Sequence, residues 1–227
     1  VVTWNNGWVH RAGPRTSDRW PDLVLHLFVV LDQWLAGRLW KLNMNLTDLR
    51  FYLIELIVLC VRDPRKAAEQ IMGWHLSRDV LWTGLVLAAA VNTLIFSISV
   101  VLQPSAAMPI LFNSPLAIFL LLTGVLTITV HGFYWIGRAI GGTGALGDVL
   151  SLTLFLQVLR ILAQIVIFVV MFVAPSLSLL LSLVTGVLGV WILVNFIAAA
   201  HRFSSLGRAV GTLLISMAVI VLGLSFL

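Results

Sequence analysis

The sequence has almost no charge: Asp, Glu, Lys and Arg together make up 10% of its 227 residues, against 60% hydrophobic residues. About a quarter of the residues in a soluble domain are charged, so this composition excludes a soluble globular fold and describes a membrane protein. It has one cysteine, Cys60, which excludes an internal disulfide and a thiolate cluster and reads as apolar filler. Acid is scarcest where the chain is most apolar: beyond Arg78 only Asp79 and Asp148 are acidic, and only Arg138, Arg160, Arg202 and Arg208 are basic. The serines between Ser176 and Ser182 therefore lack a neighbouring base, which leaves no hydrolytic constellation. His10, His26, His75, His131 and His201 have no metal-ligand spacing, and a glycine-Lys-Ser/Thr phosphate loop is missing. These shortages point away from an enzyme, a metal site and a cofactor. The net charge of +5 needs no nucleic-acid partner, because cations held at a cytoplasmic membrane face account for it.

What the sequence has is long apolar runs. Five of them, at residues 81–101, 115–136, 149–173, 177–200 and 209–227, approach the ~20 residues that a helix needs to cross a hydrocarbon core. Arg62, Arg65, Lys66 and Arg78 precede the first run, Arg138 lies between the second and third, and His201, Arg202 and Arg208 lie between the fourth and fifth. The other two connections and the C-terminus carry no charge. Every loop cation falls on one side, which places the N-terminus in the cytoplasm and the C-terminus opposite. The expected fold class is an all-α integral membrane protein: five transmembrane helices preceded by cytoplasmic amphipathic or interfacial helices.

Three segments follow from this pattern: an N-terminal extension at 1–43, a leader at 44–78 and a five-span membrane domain at 79–227. The extension is rich in Trp and Arg and holds an amphipathic helix near 21–40, its apolar centre too short to span. Met44 offers an alternative translation start. In the leader, Thr47 is positioned to cap a helix over 48–61, and Pro64 opens a surface helix. Trp20, Trp34, Arg38, Trp40 and Trp74 suit a membrane surface or a protein partner, since amphipathic rings and cations both favour the headgroup boundary.

Between the second and third runs lies GRAIGGTGALGDVLSLTLFLQ, residues 137–157. Together with Arg62-Asp63-Pro64-Arg65-Lys66 and five spans with a cytosolic N-terminus, it resembles the Yip (Ypt-interacting protein) domain family, specifically its bacterial branch, over roughly 49–227. The resemblance implies a non-enzymatic integral protein of the bacterial inner membrane, with a periplasmic C-terminus, that works through contacts. Residues 1–43 have no counterpart in it.

Gly142 to Gly147 has the spacing of a dinucleotide fingerprint but not its context, since no strand precedes it and no acidic residue follows Asp148. Glycines ending one helix, with Asp148 capping the next, explain it more simply. Arg160 falls near mid-span, where a charge is costly unless paired, and is expected to face the bundle interior. Gln157 and Gln164 share its face, and Asn92, His131 and Asn195 are the neutral partners that other helices offer. The stripe fixes helix packing or, in a functional version, lines a polar cavity. Ser182 with Gly186 and Gly207 with Gly211 have the spacing of close helix approach. The partners expected are the lipid bilayer and either a membrane protein or further copies of the chain. The resulting expectation is a membrane scaffold or accessory subunit, with a small lipid or solute carrier built on Arg160 as the alternative.

Overall fold

Asp63 and Pro64 break the leader in two. Proline cannot continue a helix but suits the first turn of a new one, so α1 (Leu46–Arg62) stops before Asp63 and α2 (Pro64–Met72) begins after it. Asp63 caps α2, accepting from the Lys66 backbone N–H at 3.3 Å and pairing with its Nζ at 3.2 Å. α1 is described from Leu46 onward, with Thr47 within it. The computed structural model describes residues 46–102 and 114–225. The expected extension, its helix near 21–40, and Trp20, Trp34, Arg38 and Trp40 lie outside the described residues.

Five long helices follow: α3 (Arg78–Leu102), α4 (Pro115–Ala139), α5 (Leu146–Val173), α6 (Pro175–Ala200) and α7 (Leu206–Leu224). All five are long and apolar enough to cross a membrane, so the chain is an integral membrane protein whose described residues are all-helical. Hydropathy alone set some starts three residues late, because it stops counting at polar residues. Helix α3 instead opens on Arg78 and Asp79, and α7 reaches Arg208 only in its first turn. Successive helices run antiparallel, so the start of α3, the end of α4, the start of α5, the end of α6 and the start of α7 share one end of the bundle. That end carries Arg78, Arg138, Arg202 and Arg208 and is called the basic end here.

The chain divides into two compact units, Val1–Ile54 and Glu55–Leu227. In the second, α5 packs on α6 and on α3, α4 packs on α7 and α3, and α6 on α7. Helix α2 buries Pro64, Ala67, Ala68 and Ile71, a single face at helical spacing, against α5 and α6. Trp74 meets the Phe155 ring edge-on at 6.0 Å. The core lies towards the basic end: α4 buries Val130 and Phe133, α5 buries Val149 to Leu152 and Phe155, and α6 buries Ile192 and Val194 to Ala198. Away from that end burial is sparse. After Gln157 no residue of α5 is buried, and on α6 none is buried between Ser178 and Ile192.

Candidate functional site: a histidine in a glycine cradle and a polar stripe

Two helix ends meet at the centre of the basic end. Helix α4 stops in a Schellman motif: Gly141, at φ +94°, donates to the Arg138 carbonyl and Gly142 donates to the Gly137 carbonyl. Helix α6 stops in the same way, with Arg202 donating to the Ala199 carbonyl and Phe203 to the Ala198 carbonyl. There the left-handed position is held by Arg202, at φ +54°, where glycine is the usual occupant. The Thr143 N–H donates to the His201 carbonyl at 3.1 Å and ties the two ends together.

The His201 side chain, 1% exposed, fills the space between them. Glycines make that space. A Cβ on Gly137 would fall on the imidazole, one on Gly142 would lie 2.7 Å from the His201 Cβ, and one on Gly144 would lie 2.6 Å from the Ala200 carbonyl oxygen. The glycine-rich stretch is therefore a cradle for a side chain. Its dinucleotide-like spacing has a packing cause, but Asp148 does not cap α5: Ala145 holds the N-cap position without a side-chain bond, and Asp148 sits in the first turn, where a carboxylate complements the helix dipole.

His201 Nδ1 lies 3.2 Å from the Ile197 carbonyl, and a carbonyl only accepts, so Nδ1 carries the proton. Nε2 is buried without a hydrogen-bond partner, and the ring stacks on Phe203 at 5.4 Å. Burial pushes the His201 pKa below its usual value; the Ile197 carbonyl, the nearby Tyr134 carbonyl and the Asp148 charge oppose that shift in part. Beside the ring runs a narrow crevice whose lining is apolar apart from Thr153 and His201 itself. On the same end Arg138 donates to the Tyr134 hydroxyl at 2.9 Å and lies over its ring. In the sequence alone His201 stands as a loop cation. Its signal was the cluster of glycines at 137, 142 and 144, which leaves a space that some large side chain must fill.

The six residues of the expected polar stripe do not converge. Asn92 donates to the Ala88 carbonyl at 2.8 Å, Asn195 to the Trp191 carbonyl at 2.9 Å, and His131 Nδ1 lies 2.8 Å from the Thr127 carbonyl. Each is satisfied one turn back on its own helix, and His131 also stacks on Trp82 at 5.7 Å. Arg160 is exposed, although it shares a helical face with the buried Thr153 and Gln157. It makes no hydrogen bond or ion pair with any described residue. At mid-span such a group costs about 2.5–3.5 kcal/mol to insert. Gln157 is 8% exposed, and the Gln164 Oε1 is buried without a partner.

A Cβ on Gly186 or Gly211 would meet nothing within 4 Å, and one on Gly207 only the Ser205 Oγ at 3.6 Å. Among the described residues, then, neither Ser182 with Gly186 nor Gly207 with Gly211 marks a close approach. Close contact between helices lies instead at the cradle, and at Gly84 of α3, whose added Cβ would stand 2.8 Å from the Leu154 side chain of α5. Among the described residues no cluster of His, Cys, Asp and Glu could hold a metal ion.

A family model, the Yip1 domain, matches residues 58–227. The chain belongs to the Yip1 domain family. The match begins in α1 and takes in all five spans, so the Yip1 domain here comprises α2, the glycine cradle and the helices that form it. No curated protein and no solved structure matches the chain. The resemblance drawn from the hairpin and the basic turn thus names the right family, with the match starting nine residues later than residue 49.

Proposed function

We propose that this Yip1-domain protein is a non-enzymatic scaffold or accessory subunit of a larger assembly in a bacterial cytoplasmic membrane. It acts through helix–helix and membrane-surface contacts, with its N-terminus in the cytoplasm and its C-terminus in the periplasm. The observation that carries this reading is where the polar side chains of the spans are used. Asn92, Thr93, His131, Thr153 and Asn195 all bond a carbonyl four residues back, so they stiffen single helices and do not converge on a ligand. A carrier needs a few convergent polar groups in a cavity, whereas a scaffold needs a rigid frame that presents surfaces. The cradle supplies such a frame: it locks two helix ends and holds Arg138 and Arg202 outward beside it.

The alternative, a lipid or solute carrier, draws on Arg160 and Gln157, whose polar groups have no partner among the described residues. One measurement separates the two. The tagged chain is purified from native membranes in gentle detergent and weighed by native mass spectrometry. Recovery in fixed ratio with other membrane proteins is the expected outcome. Recovery alone, or as a homo-oligomer with one defined lipid, removes the accessory-subunit reading and leaves the carrier.

A further inference from the structure

The side of α5 that carries Arg160 is the side turned towards the other helices. Before Arg160 that face holds Val149, Thr153 and Gln157, all buried, and after it come Gln164, Ile167 and Met171, all half-buried. On the opposite side Val158, Leu162, Ile165, Val166 and Val169 are 43–58% exposed, as the lipid-facing side of a span is. Arg160 breaks the rule of its own face, because it is exposed. An exposed side chain within a row of covered ones lies at a gap between helices. Towards the basic end that gap is closed, since Phe133, Thr153 and Ile192 are all buried. Away from it no residue of α5 after Gln157 is buried, and none of α6 between Ser178 and Ile192. The opening therefore faces the end opposite the basic one, and Arg160, 13 residues before Val173, lies roughly 20 Å along the helix from it. Beside the guanidinium are amides to spare: Gln157 is buried with no hydrogen bond to any described residue, and Gln164 Oε1 is buried without a partner.

We infer that Arg160 is the floor of a water-filled crevice between the helices, open at the end opposite the basic one, and that it binds a phosphate group there. An arginine keeps its charge at any working pH, and ionised groups within spans face the bundle interior or a water-filled cavity and mark paths for ions or substrates. The chain does not supply the counter-charge. Among the described residues of the spans the carboxylates are Asp79 and Asp148, both in the first turn of a helix at the basic end. The planar fork of the guanidinium matches two oxygens of a phosphate, and the Gln157 amide, one turn away, donates to a third. Gln164 Oε1 accepts from a water held beside the anion. A halide offers no such set of oxygens. The phosphate is that of a free anion or of a lipid headgroup, and the same chemistry holds either. This goes beyond the scaffold reading and does not depend on it, because the site is measured on the chain alone and the accessory role by co-purification.

The test uses single cysteines, since Cys60 is fully buried. Ala163→Cys and Ile167→Cys stand half-buried on the Arg160 side of α5, and Val158→Cys and Leu162→Cys stand exposed on the opposite side. In sealed vesicles of known sidedness, impermeant methanethiosulfonates added at the end opposite the basic one should label the first pair. They should spare the second, because a thiol in hydrocarbon does not ionise. Relative to a free thiol in solution, a sulfonate reagent should be favoured over a trimethylammonium reagent about tenfold at Ala163→Cys, through the field of Arg160. Arg160→Gln should abolish that preference and Arg160→Lys should keep it. Binding is read in nanodiscs as protection of Ala163→Cys from an uncharged methanethiosulfonate. Protection by millimolar inorganic phosphate in phosphatidylcholine, at constant ionic strength, identifies a free anion as the ligand. Protection in phosphatidylglycerol but not in phosphatidylcholine, without added phosphate, identifies a lipid headgroup. Arg160→Gln should remove either. The accessibility and protection readings need no change at Arg160, so they stand if that variant does not elute as a single species. Labelling of neither Ala163→Cys nor Ile167→Cys, equal labelling of all four positions, protection in neither arm, or protection that survives Arg160→Gln overturns the inference.

Discussion

A buried histidine between two helix ends responds to pH in a direction set by its surroundings. Burial lowers the His201 pKa in the folded protein below its usual 6.5, so the folded state holds the ring neutral while the unfolded chain takes a proton near pH 6.5. The stabilisation is complete above that value. It is lost as pH falls through 6.5 and on through the lower folded value, because the unfolded state then binds more protons. Thermal unfolding in detergent should therefore show a midpoint that falls between pH 8 and pH 5. His201→Gln, which keeps a polar side chain of similar reach and has no proton to bind, should flatten that fall even if its midpoint is lower throughout. Equal slopes in the two proteins would assign the pH dependence to other groups. Nothing local in the sequence around residue 201 distinguishes this histidine from a solvated loop cation. The side chain becomes important only because Gly137, Gly142 and Gly144, about sixty residues away, are brought around it. Arg160 was legible in the opposite sense. Both its cost and its face could be read from its position, since Gln157 and Gln164 mark one side of α5 and Thr153 and Gln157 are buried on that side, but the exposure of its side chain could not.

Elements were more legible than faces. Pro64, Pro115 and Pro175 each stand at the first position of a helix, and the Ile140–Gly141–Gly142 stop is a glycine C-cap of the ordinary kind. The stop at the other helix end was not legible, since Arg202 takes the left-handed position without the usual glycine. That gives a prediction free of the charge change. Arg202→Gly and Arg202→Ala both remove the guanidinium, and they differ only in backbone tolerance. Inside a helix alanine is the better residue by about 0.8–1 kcal/mol. At a left-handed position the order reverses, because a Cβ there costs roughly 1–2 kcal/mol, part of which glycine gives back in unfolded-chain entropy. The glycine variant should be the more stable by about 1 kcal/mol, seen as the higher unfolding midpoint. An alanine variant of equal or greater stability would mean that the α6 stop does not hold this conformation.

For the whole molecule, the placement of cations makes a statement about sidedness that the protein's own cysteine makes easy to check. Cys60 is fully buried, and burial pushes its thiol up to about 11, so at pH 8 it is almost entirely protonated and shielded from maleimides. The unmodified chain should stay unlabelled, which makes it a silent background for single introduced cysteines. Ser77 and Ser205 are exposed at the basic end, and Ser176 is exposed at the start of α6, at the other end. In sealed membrane vesicles of known sidedness, Ser77→Cys and Ser205→Cys should react with an impermeant maleimide only from the cytoplasmic face, and Ser176→Cys only from the opposite face. Dissolving the membrane should make all three react. The two halves of the idea fail separately. If all three positions swap faces together, the five-span bundle stands and the positive-inside assignment is wrong for it. If Ser77 and Ser205 report opposite faces, an odd number of spans separates them instead of four, and the antiparallel arrangement that joins the α4 and α6 ends around His201 cannot be the one present in the membrane.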